Sequence, residues 1–378
     1  MIPPFFFSDR RMKVSRPSLR SFVVVALATA IFPHLSMAAE PAPGRREILQ
    51  QPAAWFATEG ARALGARIVA LQGREGGWSN WANEIGMSDP TLKIEEARIA
   101  PQSLDDGATT TQMRILARIL TAPPTPASSA EESAQFRASF IRGFEYLLKA
   151  QYPNGGWPHR FPAAGYHAHI TFNDNTTSNV IALLKAISAR QPAYAWLDDE
   201  HRRRASVAIE KGIECILKCQ VVVDGRKTVW GAQHDVVTLA PAPARTFEPA
   251  SLCGSESVGL VRLLMEIETP SAAVIDAVRG AVAWFEKSKV TGIRVERFQT
   301  PEGWDTRVVT DPTAPPLWGR FYELGTNRII FADRDAVIKY SLAEIGRERR
   351  GGYGWYTSAP DTLFRGDYPR WATKWLKP

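Results

Sequence analysis

Two short polar segments contain the residues best suited to bind a cation or to exchange protons. Asp105 and Asp106 are adjacent in the first segment, and Asp174 lies between Asn173 and Asn175 in the second. Calcium takes roughly six to eight oxygen ligands and accepts irregular loops. Two carboxylates could equally serve as the acid and base of a glycosidase. The spacing of an EF-hand is absent, so the residues alone leave both kinds of chemistry open.

The same segments also have the composition of helix starts. Each one precedes an apolar stripe, at 113–120 and at 180–187, and Ser255-Glu256-Ser257 precedes a third stripe. Asp, Asn, Ser and Thr are favoured at helix N-termini because their side chains accept unpaired backbone N–H groups. Capping is therefore a sufficient explanation for any one of these acids taken alone.

Arginine is the second candidate for chemistry, and it occurs first in a proline-rich loop at 233–251. Arg245 stands in this loop between Ala and Thr, with Asp235 and Glu248 as possible partners. A structural Arg–Glu pair and a functional arginine explain this pattern equally well.

A later segment at 318–335 combines arginine with aromatic side chains. It contains Arg320, Tyr322 and Arg334 among Trp and Phe residues. A guanidinium group pairs bidentately with a carboxylate, and aromatic rings stack on sugar faces, so this composition is typical of sites for acidic sugars.

Helices must position these residues, because apolar residues recur at helical spacing along most of the chain. Strand-like alternation is confined to 228–230 and 306–310. The apolar stripes lie at 113–120, 180–187, 207–217, 258–267 and 274–285.

An internal repeat indicates how the helices pack. A helix end, a glutamine and a tryptophan loop follow each other at Gln72 to Trp78, at Gln151 to Trp157 and at Gln220 to Trp230. The tryptophans are about 75 residues apart, which leaves room for a few helices between them. Because each unit buries its stripe on the next, the repeat predicts an (α/α) toroid of helix hairpins, with the acidic segments at one end.

The N-terminus has the pattern of a cleavable signal peptide, predicted here as residues 1–38. Basic residues precede an apolar stretch at 21–35, and Ser36-Met37-Ala38 provides the small residues of a cleavage site. The stretch is short for a membrane span and contains Pro33. We therefore expect a secreted or periplasmic protein without stable membrane association.

Removal of this segment lowers the net charge. Residues 1–38 hold five Lys or Arg and one Asp, so 41 of 46 basic and 38 of 39 acidic residues remain, and the net charge falls from +7 to +3. Since the remaining chain has no run of more than three Lys or Arg, nucleic acid is not the expected partner.

In several ordered motifs the sequence resembles the pectate lyases of polysaccharide lyase family 10. The resemblance runs from about Trp55 to the end of the chain. It depends on the following motifs: Gln151-Tyr-Pro-Asn-Gly-Gly-Trp-Pro158, Thr171-Phe-Asn-Asp-Asn175, Ala232-Gln-His-Asp235 onward to Ser251, Arg320-Phe-Tyr-Glu323 and Gly352-Tyr-Gly-Trp-Tyr356.

This resemblance implies a mainly α toroid with an additional irregular, coil-rich region flanking an open cleft, in one catalytic domain at 39–378. It also implies a monomer that cleaves polygalacturonate by calcium-dependent β-elimination. Arg245 would be the catalytic base. Asp106 and Asp174 would bind Ca²⁺, and the substrate would be bound by Asp105, Asp235, Arg320, Tyr322 and Arg334.

Two other functions fit the same residues. An inverting glycoside hydrolase on the same toroid would use Asp105 or Asp174 with Glu248, and would be indifferent to chelators. A carbohydrate-binding protein would use the arginines and aromatic rings to hold a uronate without turnover.

Overall fold

Helices form most of the regular structure, as predicted. The computed structural model describes residues 45–80, 94–124 and 129–376. In these ranges the α-helices are α1 (Arg45–Gln50), α2 (Glu59–Ala70), α3 (Ile94–Ile99), α4 (Thr110–Thr121), α5 (Ala130–Ala150), α6 (Thr176–Ser188), α7 (Asp199–Cys219), α8 (Ser257–Met265), α9 (Ala272–Ser288), α10 (Arg347–Gly352), α11 (Ala359–Thr362) and α12 (Tyr368–Trp375). No helix in the described ranges is long and apolar enough to cross a membrane. The predicted signal peptide at 1–38 lies outside the described residues.

The predicted apolar stripes face the core. Met113 and Leu116 are fully buried on α4, and Val180 and Leu184 are fully buried on α6. Residues three or four apart share one helix face, so each stripe buries a continuous surface against neighbouring helices.

Four buried tryptophans mark a repeated helical unit. Each indole N–H donates to a backbone carbonyl of the preceding long helix, and so satisfies the polar atom that a buried tryptophan carries. The pairs are Trp78 with Ile68 of α2 (2.7 Å), Trp157 with Leu147 of α5 (2.9 Å), Trp230 with Ile216 of α7 (2.7 Å) and Trp318 with Phe285 of α9 (2.8 Å). The sequence indicated three of these units. Trp318 was missed because a β-hairpin separates it from its helix.

The glutamine of each predicted repeat joins one unit to the next. Its side-chain amide donates to a carbonyl of its own loop and to a carbonyl in the middle of the following long helix. The second acceptors are Ser139 of α5 for Gln72 (2.8 Å), Ala208 of α7 for Gln151 (2.9 Å) and Ala277 of α9 for Gln220 (2.8 Å). The helices α2, α5, α7 and α9, each of which precedes a tryptophan loop, are thus connected in sequence order.

Short strands make up much of the region that the resemblance describes as irregular. The strands are β1 (Ile170–Thr171), β2 (Val222–Val223), β3 (Arg226–Lys227), β4 (Gln233–His234), β5 (Leu252–Cys253), β6 (Ile293–Thr300), β7 (Gly303–Thr310), β8 (Trp318–Gly319), β9 (Phe321–Tyr322), β10 (Ile329–Ala332), β11 (Ile338–Lys339) and β12 (Tyr356–Thr357). One antiparallel sheet has the order β11-β10-β9-β5. Phe247, Phe321, Phe331 and Trp355 belong to a second apolar core beside it.

The two predicted strand segments have different outcomes. Residues 306–310 lie in β7, which pairs with β6 along eight residues of hairpin, and this prediction is confirmed. Residues 228–230 follow β3 and are not a strand. Val229 and Trp230 are instead fully buried against the helices, so their apolar character reflects core packing.

Candidate active site

Two matching turns present the predicted acidic residues. Asp106 and Asp174 both have φ 50° and ψ 30°, and each stands in the middle of a single 3₁₀ turn, at Asp105–Gly107 and Asn173–Asn175. This left-handed backbone is uncommon for residues other than glycine, although Asp tolerates it better than most. The two turns lead directly into α4 and α6, so the helical repeat places the same acidic feature in consecutive units.

Helix capping does not explain these acids. The residues at the helix boundaries are Thr109 for α4 and Asn175 for α6, and neither makes a side-chain capping hydrogen bond. Thr109 instead donates to the carbonyl of Ser103, and Thr177 donates to the carbonyl of Thr171. These two hydroxyl groups stabilise the loops that precede the helices. Since no acidic side chain caps α4 or α6, helix capping does not account for the acidic residues.

The carboxylates of the two turns influence one another. The pKa of Asp174 is raised from 3.8 to about 6 by partial burial and then by the charges of Asp105, Glu256 and Asp106. Arg320 opposes this shift. Burial is the larger cause of this shift, and the neighbouring carboxylates add negative charge that Arg320 offsets only in part.

Asp105 lies between a polar side chain and a buried histidine. Its Oδ2 accepts a hydrogen bond from Asn80 at 3.2 Å, whereas its buried Oδ1 has no hydrogen-bond partner among the described residues. His159 Nε2 is 3.7 Å from that oxygen and 2.9 Å from Thr171 Oγ1. Burial lowers the pKa of His159, so the ring is neutral and does not compensate the charge of Asp105.

These residues fit a divalent cation in their donor chemistry. Asp105, Asp106 and Asp174 supply hard oxygens, one of which is buried and has no hydrogen-bond partner among the described residues. A cation would offset the negative charges that add to the effect of burial on the pKa of Asp174. Among the described residues, however, no three His, Cys, Asp or Glu side chains are grouped closely enough to hold an ion unaided. Further ligands would have to come from water or from an anionic substrate.

Arg245 is paired with Glu248. Its Nε donates to Glu248 Oε2 at 2.8 Å, and its Nη2 donates to Oε1. Tyr353 Oη also donates to Glu248 Oε1, at 2.6 Å. The hydrogen-bonded carboxylate raises the pKa of Arg245, and the same contact holds the pKa of Glu248 below its usual value despite burial.

Arg320 connects the arginines to the acidic turns. Its Nη2 donates to the buried carboxylate of Glu256 and to Asn173 Oδ1 at 3.2 Å, one residue before Asp174. Its guanidinium carbon lies 4.6 Å from the centroid of the Tyr353 ring, and that of Arg245 lies 5.6 Å from the same centroid. Tyr353 therefore contacts both guanidinium groups.

Arg334 lies near Arg245, because both side chains contact the ring of Phe247. Its guanidinium carbon is 5.8 Å from the ring of Phe247, which Arg245 also contacts at 4.7 Å. Its side chain is 64% exposed and forms a bidentate pair with Glu348. Arg334 could thus meet a ligand at the edge of the cluster that Arg245, Arg320 and Tyr353 form with the acidic turns.

Two predicted substrate ligands are not brought to this cluster. Tyr322 is 2% exposed, and its hydroxyl donates to the carbonyl of Ser288 and accepts from the amide of Gly319. Asp235 is partly exposed, and its carboxylate accepts from the amides of Val237 and Thr238 and so stabilises its own turn. The prediction for Tyr322 is corrected to a core residue, whereas substrate binding by Asp235 stays a prediction.

Sequence reasoning did not single out Glu256 and His159. Glu256 was considered only as part of a helix start, yet its buried carboxylate pairs with Arg320. His159 follows the tryptophan loop of the second repeat and carried no motif of its own. Tyr353 was quoted within a motif without a role, and only its contacts with Glu248 and the two arginines reveal one.

Together, the helical repeat and the site define a class of protein. A mainly α-helical chain gathers the carboxylates of two repeated turns beside arginines that contact aromatic rings, an arrangement suited to an anionic sugar held partly through a cation.

Comparison with known proteins identifies the family. The sequence profile of the pectic acid lyases matches residues 72–364, and the chain belongs to this family. Two solved structures of a family 10 polysaccharide lyase from Cellvibrio cellulosa are similar, each with 28% identity over 85% of this chain. One is an Asp-to-Ala mutant in complex with trigalacturonic acid (TM-score 0.68, 97% of its chain), and the other has a TM-score of 0.67 over 96% of its chain. No curated protein sequence matches significantly.

Proposed function

We propose that this protein cleaves polygalacturonate by β-elimination, with Arg245 as the base and Ca²⁺ as cofactor. The observation that carries the proposal is that Tyr353 contacts both Arg245 and Arg320, while Arg320 is hydrogen-bonded beside Asp174 in the acidic turns. The residues proposed as base, as carboxylate-binding group and as cation ligand thus lie close together. The trigalacturonate bound to the Cellvibrio enzyme supports the choice of polymer.

The reaction removes a proton and breaks a glycosidic bond. Arg245 takes the proton from C5 of a galacturonate unit, the electron pair forms the C4–C5 double bond, and the bond from C4 to the glycosidic oxygen breaks. The departing oxygen receives a proton from water, and the protonated Arg245 gives its proton to the hydroxide that results, which regenerates the base. Arg320 and Arg334 hold substrate carboxylates and stabilise the negative charge that develops next to C5. Bound Ca²⁺, held by Asp106 and Asp174 with Asp105 adjacent, would neutralise the uronate carboxylate.

Arg245 is not ready to act as a base in the free protein. Its bidentate pair with Glu248 favours the protonated guanidinium. Proton abstraction therefore requires the pair to open when substrate and cation bind, since nearby positive charge disfavours the protonated form.

The same pair argues against the inverting hydrolase. A general acid needs a raised pKa, whereas Arg245 and Tyr353 lower the pKa of Glu248 and keep it ionised. Asp174 does have a raised pKa, but Glu248 would have to serve as its partner while bonded to Arg245.

We also propose the finer architecture and location. The four tryptophan units and the glutamines that join them support a toroid of helix hairpins, which small-angle scattering can test against an open array. Export through residues 1–38 would bring the enzyme to a polymer found outside the cell. N-terminal sequencing of the secreted or periplasmic protein checks the export, and size-exclusion chromatography checks the monomer.

The function is tested by ultraviolet absorbance of unsaturated product from polygalacturonate, with added Ca²⁺ and with EDTA. We expect absorbance with Ca²⁺ only, and a loss of about a hundredfold or more in Arg245→Ala, because a general base contributes about that much. Arg204→Ala is a matched control, since Arg204 forms a bidentate pair with Glu145 on the helices α7 and α5. Near-normal turnover by Arg245→Ala contradicts the proposed base, and wild-type turnover without absorbance contradicts the lyase.

A further inference from the structure

A groove of about 370 Å³ lies between the β6–β7 hairpin and the segment Gly351–Tyr356. Arg297 is part of its hairpin wall, and Tyr353 is part of the opposite wall. Since the ring of Tyr353 also contacts Arg245, the groove is next to the proposed reaction centre. Its volume lies in the range of small-molecule sites, about 300 to 1,000 Å³.

On the hairpin side of the groove, the cation Arg297 lies next to an aromatic ring, that of Trp304. Arg297 stands opposite Thr306 and Gln299 stands opposite Trp304, so the side chains of Arg297 and Trp304 project from the same face of the hairpin. The guanidinium carbon lies 4.4 Å from the Trp304 ring centroid, and Trp304 is 48% exposed. Arginine with an aromatic ring is a suitable combination for an acidic sugar.

The charge of Arg297 is not neutralised by its neighbours. Among the described residues Arg297 forms no ion pair, whereas Arg294 and Arg307 of the same hairpin both contact Glu296. Stacking on Trp304 orients the guanidinium while its donors stay available for a ligand carboxylate.

The opposite wall of the groove, the segment Gly351–Tyr356, leaves room for a ligand at its glycines. A Cβ atom built on Gly354 would meet no heavy atom within 4 Å, and one on Gly352 would meet only Arg349 Nη2, at 3.6 Å. Both glycines are exposed, so no side chain from these positions fills the groove.

We infer that this groove binds a further galacturonate unit of the same polymer, beyond the units at the reaction centre. Arg297, oriented by Trp304, pairs with its carboxylate, and the glycine wall leaves space for the sugar ring. The inference rests on the proposed function for the identity of the polymer. A site of this kind increases affinity for long chains and leaves chains too short to reach it unaffected.

The test compares kcat/KM on polygalacturonate with kcat/KM on trigalacturonate. We expect Arg297→Ala to lower the value on the polymer by about three- to tenfold, as for a partly exposed charged hydrogen bond, and to leave the trimer unchanged. Gly354→Phe, which fills the groove, should have the same selective effect. Arg307→Ala is the matched control, because Arg307 stacks on Phe298 on the other face of the hairpin.

Equal kcat/KM for wild type and Arg297→Ala on the polymer would overturn the inference, and so would equal losses on both substrates. Affinity electrophoresis in gels containing polygalacturonate measures binding without turnover. If the wild type binds the polymer without cleaving it, the lyase proposal fails but the inference about the groove does not. Weaker retention of Arg297→Ala than of Arg307→Ala in the polygalacturonate gel still supports binding in the groove. Equal retention of these two variants overturns it.

Discussion

Replacing Glu248 with glutamine tests whether this carboxylate controls the basicity of Arg245. Glu248→Gln keeps the shape of the side chain and an acceptor for Arg245 Nε, but it removes the charge. Because that charge raises the pKa of Arg245, its loss should lower the pH at which the base becomes active.

The size of the effect follows from the geometry. Two unit charges about 4 Å apart interact by about 4 kcal/mol at an effective dielectric constant of about 20. The Arg245 side chain is 46% exposed, so solvent screening reduces this to about 1 to 2 kcal/mol, or about one pKa unit. Below the pKa of Arg245, one unit means about tenfold more deprotonated base, and its weaker basicity reduces the gain in rate to about threefold.

The assay is the pH profile of kcat at saturating substrate, which reports groups in the enzyme–substrate complex, where Arg245 acts as the base. We expect the rising limb of Glu248→Gln to move to lower pH by about one unit. Glu145→Gln removes the same charge from a bidentate arginine pair between α5 and α7 and should leave the profile unchanged. An unshifted limb together with a rate loss of tenfold or more would refute this reasoning, because Glu248 would then act only by holding Arg245 in place.

Two further substitutions test the acidic turns and the buried pair. The folded pKa of Asp174, about 6, exceeds its ordinary 3.8, so its ionised form destabilises the folded protein above about pH 6, and this cost disappears as the pH falls through 6 towards 4. Asp174→Asn should therefore raise the free energy of unfolding by about 1 to 2 kcal/mol at pH 8 in EDTA, and leave it unchanged at pH 4. Thermal unfolding at the two pH values measures this, and an increase in stability of equal size at both would contradict the reasoning. Glu256→Ala leaves the guanidinium of Arg320, 15% exposed, without its buried partner and should cost about 3 to 5 kcal/mol in urea unfolding. A change under about 0.5 kcal/mol would show that Asn173 and solvent compensate.

The helical fold was largely predictable because its signals are local. The stripe containing Met113 and the one containing Val180 lie on helices, since periodicity reports burial within a few turns. The fourth unit at Trp318 was not predictable, because β6 and β7 are inserted between it and its helix.

The site was predictable where its residues are unusual for their surroundings. Asp106 and Asp174 stand out as acids in two similar segments, and the structure gives them the same backbone conformation. Glu256 was missed because an acid at a helix start is ordinary, and only its burial beside Arg320 distinguishes it. Tyr322 was placed incorrectly because burial depends on contacts between distant segments, such as its hydrogen bond to Ser288.

The most direct test of the central claim, cleavage by β-elimination, is to digest polygalacturonate in water labelled with the heavy oxygen isotope and to measure the product masses by mass spectrometry. Elimination breaks the bond between C4 and the glycosidic oxygen without adding water, so the new reducing ends should carry only the original oxygen when spectra are taken before exchange. Each cleavage should also give one unsaturated end. Heavy oxygen at the cleaved ends, with no unsaturated product, would contradict the lyase account and establish hydrolysis.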